Sequence, residues 1–232
     1  MTGRPAVSAD GTEVVAMDYD GIAHIWDAHT LQEIDAVDLG AAIGEVGRVE
    51  AVGQGWILVR RLSDQEFLAL DRSSLAIMAE FTFAMDLDLE VAPDGSFLLM
   101  RHLDTTIHRL ETDEWVPRLL FSPGQLVRGL AVSPSGSRVM LGGTDGFVRI
   151  IDADSGELVD QLPFEHVSDG HWIDNDHIAV ATGSSGTWDT VTLDFTEVVE
   201  RAAGQLTRTF NDGECRVYRI DPCPTLAEIQ SR

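Results

Sequence analysis

The sequence predicts an all-β chain: a β-propeller of four-stranded antiparallel blades with a short α-helical C-terminal tail. Three observations carry this: a repeat with a period near 40 residues, the strand chemistry inside each copy, and a change of periodicity after residue 195. Residues 131–152, AVSPSGSRVMLGGTDGFVRIID, restate residues 6–27, AVSADGTEVVAMDYDGIAHIWD.

Three anchors keep step. The first is a turn between two apolar runs: Asp10-Gly11, Gln54-Gly55, Asp94-Gly95, Ser135-Gly136 and a degenerate Asp174-Asn175, spaced by 44, 40, 41 and about 39 residues. The second lies some ten residues on, at Asp20-Gly21, Asp64-Gln65, Asp104-Thr105, Asp145-Gly146 and Ser185-Gly186, spaced by 44, 40, 41 and 40. The third is an apolar residue followed by an acid: Trp26-Asp27, Leu70-Asp71, Leu110-Glu111, Ile151-Asp152 and Leu193-Asp194, spaced by 44, 40, 41 and 42. The repeats span residues 5–39, 46–82, 86–121, 126–164 and 170–195.

Between anchors lie short runs rich in β-branched and large apolar residues, bounded by Gly and Asp, which read as strands. Asp-Gly is a strong hairpin cue, because Gly accepts positive φ without a Cβ clash. In the fourth repeat the strands are read at 129–133, 138–142, 147–152 and 158–162. No helix of ten or more residues fits between the turns. A lone four-stranded meander cannot bury both faces, whereas radial stacking of such sheets does, and a period of about 40–45 residues is that of a propeller blade.

After residue 195 the pattern changes. Val198, Val199, Ala202, Ala203 and Leu206 recur at helical spacing, with Thr196 as N-cap and Gly204 as stop. Asn211 followed by Glu214 reads as a capping box for a second short helix. Pro222 and Pro224 end it, and residues 225–231 add a last turn. Residues 196–232 are thus expected as a helical extension packed on the last blade.

Composition narrows the function. Asp and Glu number 39 against 16 Lys and Arg, a net charge of −23, which repels phosphate backbones and anionic lipid, so neither nucleic acid nor membrane is an expected partner. The first residues lack the apolar run of a signal peptide, and no stretch reaches 18 apolar residues, so the chain reads as soluble and cytoplasmic.

No catalytic set stands out, and neither a metal nor a cofactor is assigned. Glu165, His166, Asp169 and His171 are ligand types for zinc, but they fall on an inter-blade stretch with nothing to fix their geometry and read as a polar surface loop. Asp86, Asp88 and Glu90 alternate and read as an acidic rim; residues 152–157, DADSGE, read as a turn between the third and fourth strands. Trp56, Trp115 and Trp188 are placed in strands as core residues, and His24, His102 and His108 on sheet surfaces. Cys215 and Cys223, eight apart, allow a local disulfide, a ligand role or buried thiols, the last being the default for a cytoplasmic protein.

These residues also carry a family likeness. Ser8-Ala-Asp-Gly11, Asp20-Gly21 and Ile25-Trp26-Asp27, then Ser133-Pro-Ser-Gly136, Asp145-Gly146 and Ile150-Ile151-Asp152, resemble the WD-repeat β-propeller. The resemblance implies structural roles for Asp20 and Trp26, and for Asp64, Asp104 and Asp145 at the matching place in later repeats. The aromatic is lost in four of five repeats, and the family's Gly-His pairs are missing at most blade starts. In the tail, Ala203-Gly204, Leu206-Thr207, Glu214-Cys215, Tyr218-Arg219 and Cys223-Pro224 resemble the extension that closes WD-repeat sensor regions of actinobacterial multidomain regulatory proteins. There the propeller follows a regulatory or signalling domain, and both cysteines recur in the tail motif, which keeps the disulfide open.

The resemblance implies a non-enzymatic protein–protein interaction or sensing scaffold that binds its partner through blade loops. Two alternatives stand beside it: a propeller enzyme with a metal or quinone in its channel, and a truncated fragment without independent function. WD-repeat propellers usually have seven blades and only five repeats are visible, so the array is either one piece of a longer propeller or a small one plugged by its tail. Open edges would invite self-association.

Overall fold

The computed structural model describes residues 5–83, 85–102, 105–164, 167–182, 187–205, 215 and 222–230. Asp104, Glu165, His166, Ser185-Gly186, Asn211 and Glu214 lie outside the described residues, as does most of the tail motif.

The chain forms five consecutive antiparallel sheets, each ordered as the chain runs. Blade A comprises β1 (Ala6–Val7), β2 (Glu13–Met17), β3 (Ile22–Asp27) and β4 (Glu33–Asp38). Blade B comprises β5 (Gly47–Val52), β6 (Trp56–Arg61), β7 (Glu66–Asp71) and β8 (Ile77–Thr82). Blade C comprises β9 (Met85–Val91), β10 (Phe97–His102), β11 (Ile107–Glu111) and β12 (Pro117–Phe121). Blade D comprises β13 (Val127–Val132), β14 (Arg138–Gly143), β15 (Phe147–Asp152) and β16 (Leu158–Pro163). Blade E has three described strands, β17 (Val167–Trp172), β18 (His177–Thr182) and β19 (Thr187–Thr192).

The second and third strands of blades B to D lose the usual in–out alternation, because each sheet is covered on both faces. Neighbouring residues in one strand therefore feed different seams. Ile57 packs towards blade A with Val15 and Ile25, while Leu58 packs towards blade C with Leu98 and Met100. Leu99 packs towards blade D with Val139 and Ile151, while Met140 packs towards blade E with Ile178 and Val180. Among the described residues, four buried clusters join five blades in series, and no comparable packing joins β17 back to β1.

Polar ties cross the same seams. Trp56 Nε1 donates to the Gly95 carbonyl at 3.3 Å, and Trp172 Nε1 to the Ala131 carbonyl at 3.2 Å. Arg109 donates to the Ala153 carbonyl at 2.7 Å.

The first step of 44 residues, against 40 in the next, has a cause that the strand reading did not resolve. Helix α1 (Leu39–Ile43) sits between blades A and B, capped by Asp38, which accepts from Ala41 N at 2.8 Å. Gly40 lies against Gly21 so closely that a Cβ on Gly21 would come within 2.8 Å of the Gly40 Cα.

Trp115 departs from the strand expected for it. It sits in the turn before β12 with φ 56°, and its ring still reaches the core, edge-on to Trp56 at 5.3 Å. Its burial comes from the inter-blade seam, not from a strand face.

The tail begins with helix α2 (Phe195–Gln205), whose N-cap is Asp194 rather than Thr196: Asp194 Oδ1 accepts from Thr196 N at 2.8 Å, and its carbonyl accepts from Val198 N at 3.1 Å. The helix continues through Gly204 to Gln205. Helix α3 (Leu226–Gln230) starts at a capping box, with Glu228 accepting from Thr225 N at 2.7 Å and Thr225 Oγ1 accepting from Glu228 N at 3.3 Å. Cys215 and Cys223 form a disulfide, which replaces the default of reduced thiols: the tail brings their Cα atoms to 5.7 Å, within bridging reach.

Candidate interaction surfaces

In an antiparallel meander the first and third turns of each blade lie at one end and the second turn at the other. The blades therefore present two surfaces of turns.

At the first end, aspartates lock the turns. Asp27 Oδ1 accepts from His29 N at 3.0 Å, Thr30 N at 2.7 Å and Thr30 Oγ1 at 2.8 Å. Asp71 does the same with Ser73 N at 3.1 Å, Ser74 N at 2.8 Å and both hydroxyls at 2.7 Å. Asp152 accepts from Asp154 N at 3.1 Å and Ser155 N at 2.8 Å. These are Asx-type turns, in which the carboxylate satisfies amides two and three residues on. Each is followed by a residue in the left-handed region: Leu31 and Leu75 at φ 57°, Gly156 at φ 72°. Blade C has Glu111 at the matching place. Its longer side chain turns instead to Arg109 and Arg118, at 2.7 and 2.8 Å.

The first turns follow the same chemistry. Asp10 accepts from Ser8 Oγ at 2.7 Å and Thr12 Oγ1 at 2.8 Å, and Asp94 from Ser96 Oγ at 2.7 Å. Asp174 accepts from Asp176 N and His177 N, both at 2.8 Å. Hydroxyl donors hold the carboxyls of Asp10 (Ser8, then Thr12) and Asp71 (Ser73, then Ser74) down to about 2. Backbone donors from Thr30 and Ser155 lower those of Asp27 and Asp152, and the Ser96 hydroxyl lowers that of Asp94. Arginines at this end are spoken for: Arg72 pairs with Glu13 at 2.7 Å, Arg118 with Glu111 at 2.8 Å and Arg138 with Asp176 at 3.2 Å. The result is a surface on which the turn-locking aspartates hold their charge below the usual carboxylate range. Between blades A and B it holds a polar cleft of about 130 Å³ lined by Ser8, Asp10, Thr12, Glu13, Gln54 and Arg72.

The other end carries the aspartates of the second anchor, and they do different jobs. Asp20 is exposed; the carboxylate that closes its turn is Asp18, which accepts from Asp20 N and Ile22 N, both at 2.9 Å, and meets His24 Nε2 at 3.2 Å. Asp64 accepts from Glu66 N at 3.0 Å and pairs with Arg61 at 3.1 Å. Asp145 pairs with Arg149, Nη1 to Oδ1 at 3.1 Å, and that guanidinium lowers its carboxyl. Each sits on its own blade, and the structure does not bring them together. The Asx spacing from Asp18 to Asp20 and Ile22 is the sequence signal for Asp18; the repeat alignment drew attention to Asp20 instead.

The two outer sheet faces form a third kind of surface. On blade A, half-buried Trp26 stacks on His24 with ring centroids 5.7 Å apart. On blade E, His171 stacks on Trp188 at 5.9 Å, and Trp188 is 53% exposed. Asp169 and His171 are thus held in β17 rather than in a loop, 3.6 Å apart, because Val167, Gly170 and Trp172 of the same strand face blade D. Among the described residues, no three His, Cys, Asp or Glu side chains converge as a metal site.

No known protein family matches the chain, and no curated protein matches it. Among solved structures, the β-propeller domain of Cps50 (Swd1) from Myceliophteria thermophila is similar in fold, with a TM-score of 0.60 at 14% identity. The match covers 83% of this chain and 66% of that one, so the chain spans about two thirds of that domain's length. At this identity the likeness speaks for the propeller fold.

Proposed function

We propose that the protein is a non-enzymatic protein-interaction scaffold that engages a basic partner segment on the anionic turn end of its blades. The observation that carries this is the set of Asx-locked carboxylates at that end, each fixed by amide or hydroxyl donors of its own turn. Turns on a rigid scaffold are where binding residues gather, and a field of one sign steers a partner of the other. The likeness to a propeller domain supports the scaffold role. The tail residues that resemble actinobacterial sensor regions support a place at the sensor end of a regulatory system.

The test uses charge reversal away from the turn locks. Asp113→Lys, Glu114→Lys and Glu157→Lys change exposed acids at the anionic end; Asp20→Lys changes one at the other end. A protein retained from the host's extract by the immobilised wild-type chain should be lost from the triple variant and kept by Asp20→Lys. Retention by the triple variant, or none by the wild-type chain, would overturn the proposal.

A further inference from the structure

Helix α2 packs against β19, but Val198 and Val199 on it remain 42% and 45% exposed, so apolar burial holds it only in part. A polar contact stands out instead. His177 opens β18, and its two ring nitrogens face carboxylates on different elements. Nδ1 lies 2.9 and 3.0 Å from the oxygens of Asp174, in the turn before β18. Nε2 lies 3.0 Å from Oε2 of Glu197, in the first turn of α2.

We propose that His177 is a proton-operated latch between the last blade and the tail helix: protonated it bridges the two, and deprotonated it releases the helix. An imidazolium carries two N–H donors and can serve both carboxylates; neutral imidazole carries one, and its lone pair then faces an anion. The local hydrogen bonds decide which side lets go. Asp174 is fixed by the backbone amides of Asp176 and His177, so it keeps the remaining N–H. Glu197 has a partner within its own helix, Arg201 Nη2 at 2.5 Å, and once the His177 bond is gone gives up only the 3.2 Å bond from Thr192 Oγ1 by leaving.

The other groups around the imidazole are accounted for. Thr192 Oγ1 on β19 donates to Glu197 at 3.2 Å, and Asp176 is paired with Arg138 of blade D. Asp174 first and Glu197 second raise the His177 pKa, and His177 lowers that of Glu197. A raised histidine contributes its full bridge below the free value of about 6.5 and loses it as pH rises through the raised value. Release therefore comes on the alkaline side and uncovers the Val191–Thr192 end of β19, the outermost described strand of blade E, whose first four residues are exposed already.

Arg201 places a trypsin site inside α2, and cleavage there reads helix release. Rates are taken at about pH 6 and about pH 8.5, either side of the histidine range, each normalised to an unstructured peptide with the same site. The wild-type chain should show a rise of roughly threefold, the scale of a partly exposed ionic contact. His177→Gln should cleave fast at both pH values, and His177→Arg, which keeps its charge, slowly at both. A flat wild-type profile, a His177→Gln chain that follows the wild-type profile, or a His177→Arg chain that cleaves fast at both pH values would overturn the latch.

Discussion

The seam between blades A and B and the outer side of blade E are made from the same repeat, yet they differ in almost every physical respect. At the seam, Val15, Ile57, Leu68 and Leu70 are at most 1% exposed, and the Arg72–Glu13 pair and the Ala9 N to Val52 carbonyl bond, at 3.0 Å, cross it. On blade E the outward side carries His171, Trp188 and Thr190, and the tail is tied on through His177. The third strand shows the contrast in miniature. Blade B has EFLALD with four consecutive buried residues, whereas blade E has TWDTVT with four consecutive exposed ones. A strand inside a sheet with neighbours on both faces needs apolar residues at every position, as β7 does between β6 and β8; β19 is the outermost described strand of its sheet, so residues on both of its faces stay exposed.

Three substitution pairs break or sharpen that comparison. The largest effect is expected at the seam. Ile57→Ala should cost about 2–5 kcal/mol through lost burial and a cavity, whereas Thr190→Ala on the blade E face should stay within about 0.5 kcal/mol. Urea unfolding of both variants measures this; equal losses would mean that the blade E face is covered as the seam is.

The second pair separates backbone strain from packing. Leu31 and Leu75 occupy matching turn positions at φ 57°, where a side chain costs roughly 1 kcal/mol over glycine. Leu31 is 72% exposed, so Leu31→Gly should raise the melting temperature by a few degrees at most, on the order of that strain. Leu75 packs against the A–B cluster, so Leu75→Gly should lower it. Shifts of the same sign would show that strain or packing alone governs the position.

The smallest effect concerns pH. Asp10 and Asp71 sit at about 2, below the free carboxylate value of about 3.9. A depressed acid stabilises the fold above its free value and ceases to do so as pH falls through its folded value. Melting temperature should therefore decline between about pH 4 and pH 2, and the Asp10→Asn/Asp71→Asn chain should show a shallower decline in that window. An unchanged slope would mean that the turn locks contribute nothing to the acid transition.

Much of the fold was legible because its chemistry is local. Asp27, Asp71 and Asp152 bond to amides two and three residues on, so the turn is written where it forms. The spacing of those turns, with β-branched runs between them, leads to a four-stranded unit and to its stacking. The candidate surfaces were less legible. The repeat alignment pointed to Asp20, but the lock is Asp18, since an alignment compares positions and not hydrogen bonds. Trp115 looked like a strand residue, and only the neighbouring blade's Trp56 accounts for a buried indole in a turn.

By itself, then, the sequence determined the repeat, the turns, the strand order and the acidity, all set by residues within a few positions of one another or by composition. Only the tertiary structure decided which faces are covered, that α1 fills the longest step, that Cys215 meets Cys223, and that His177 faces Glu197 across 20 positions. Those outcomes depend on distances between chain segments that no local pattern encodes, because a contact is made by whatever the fold brings within about 3–4 Å, however far apart it lies in the chain.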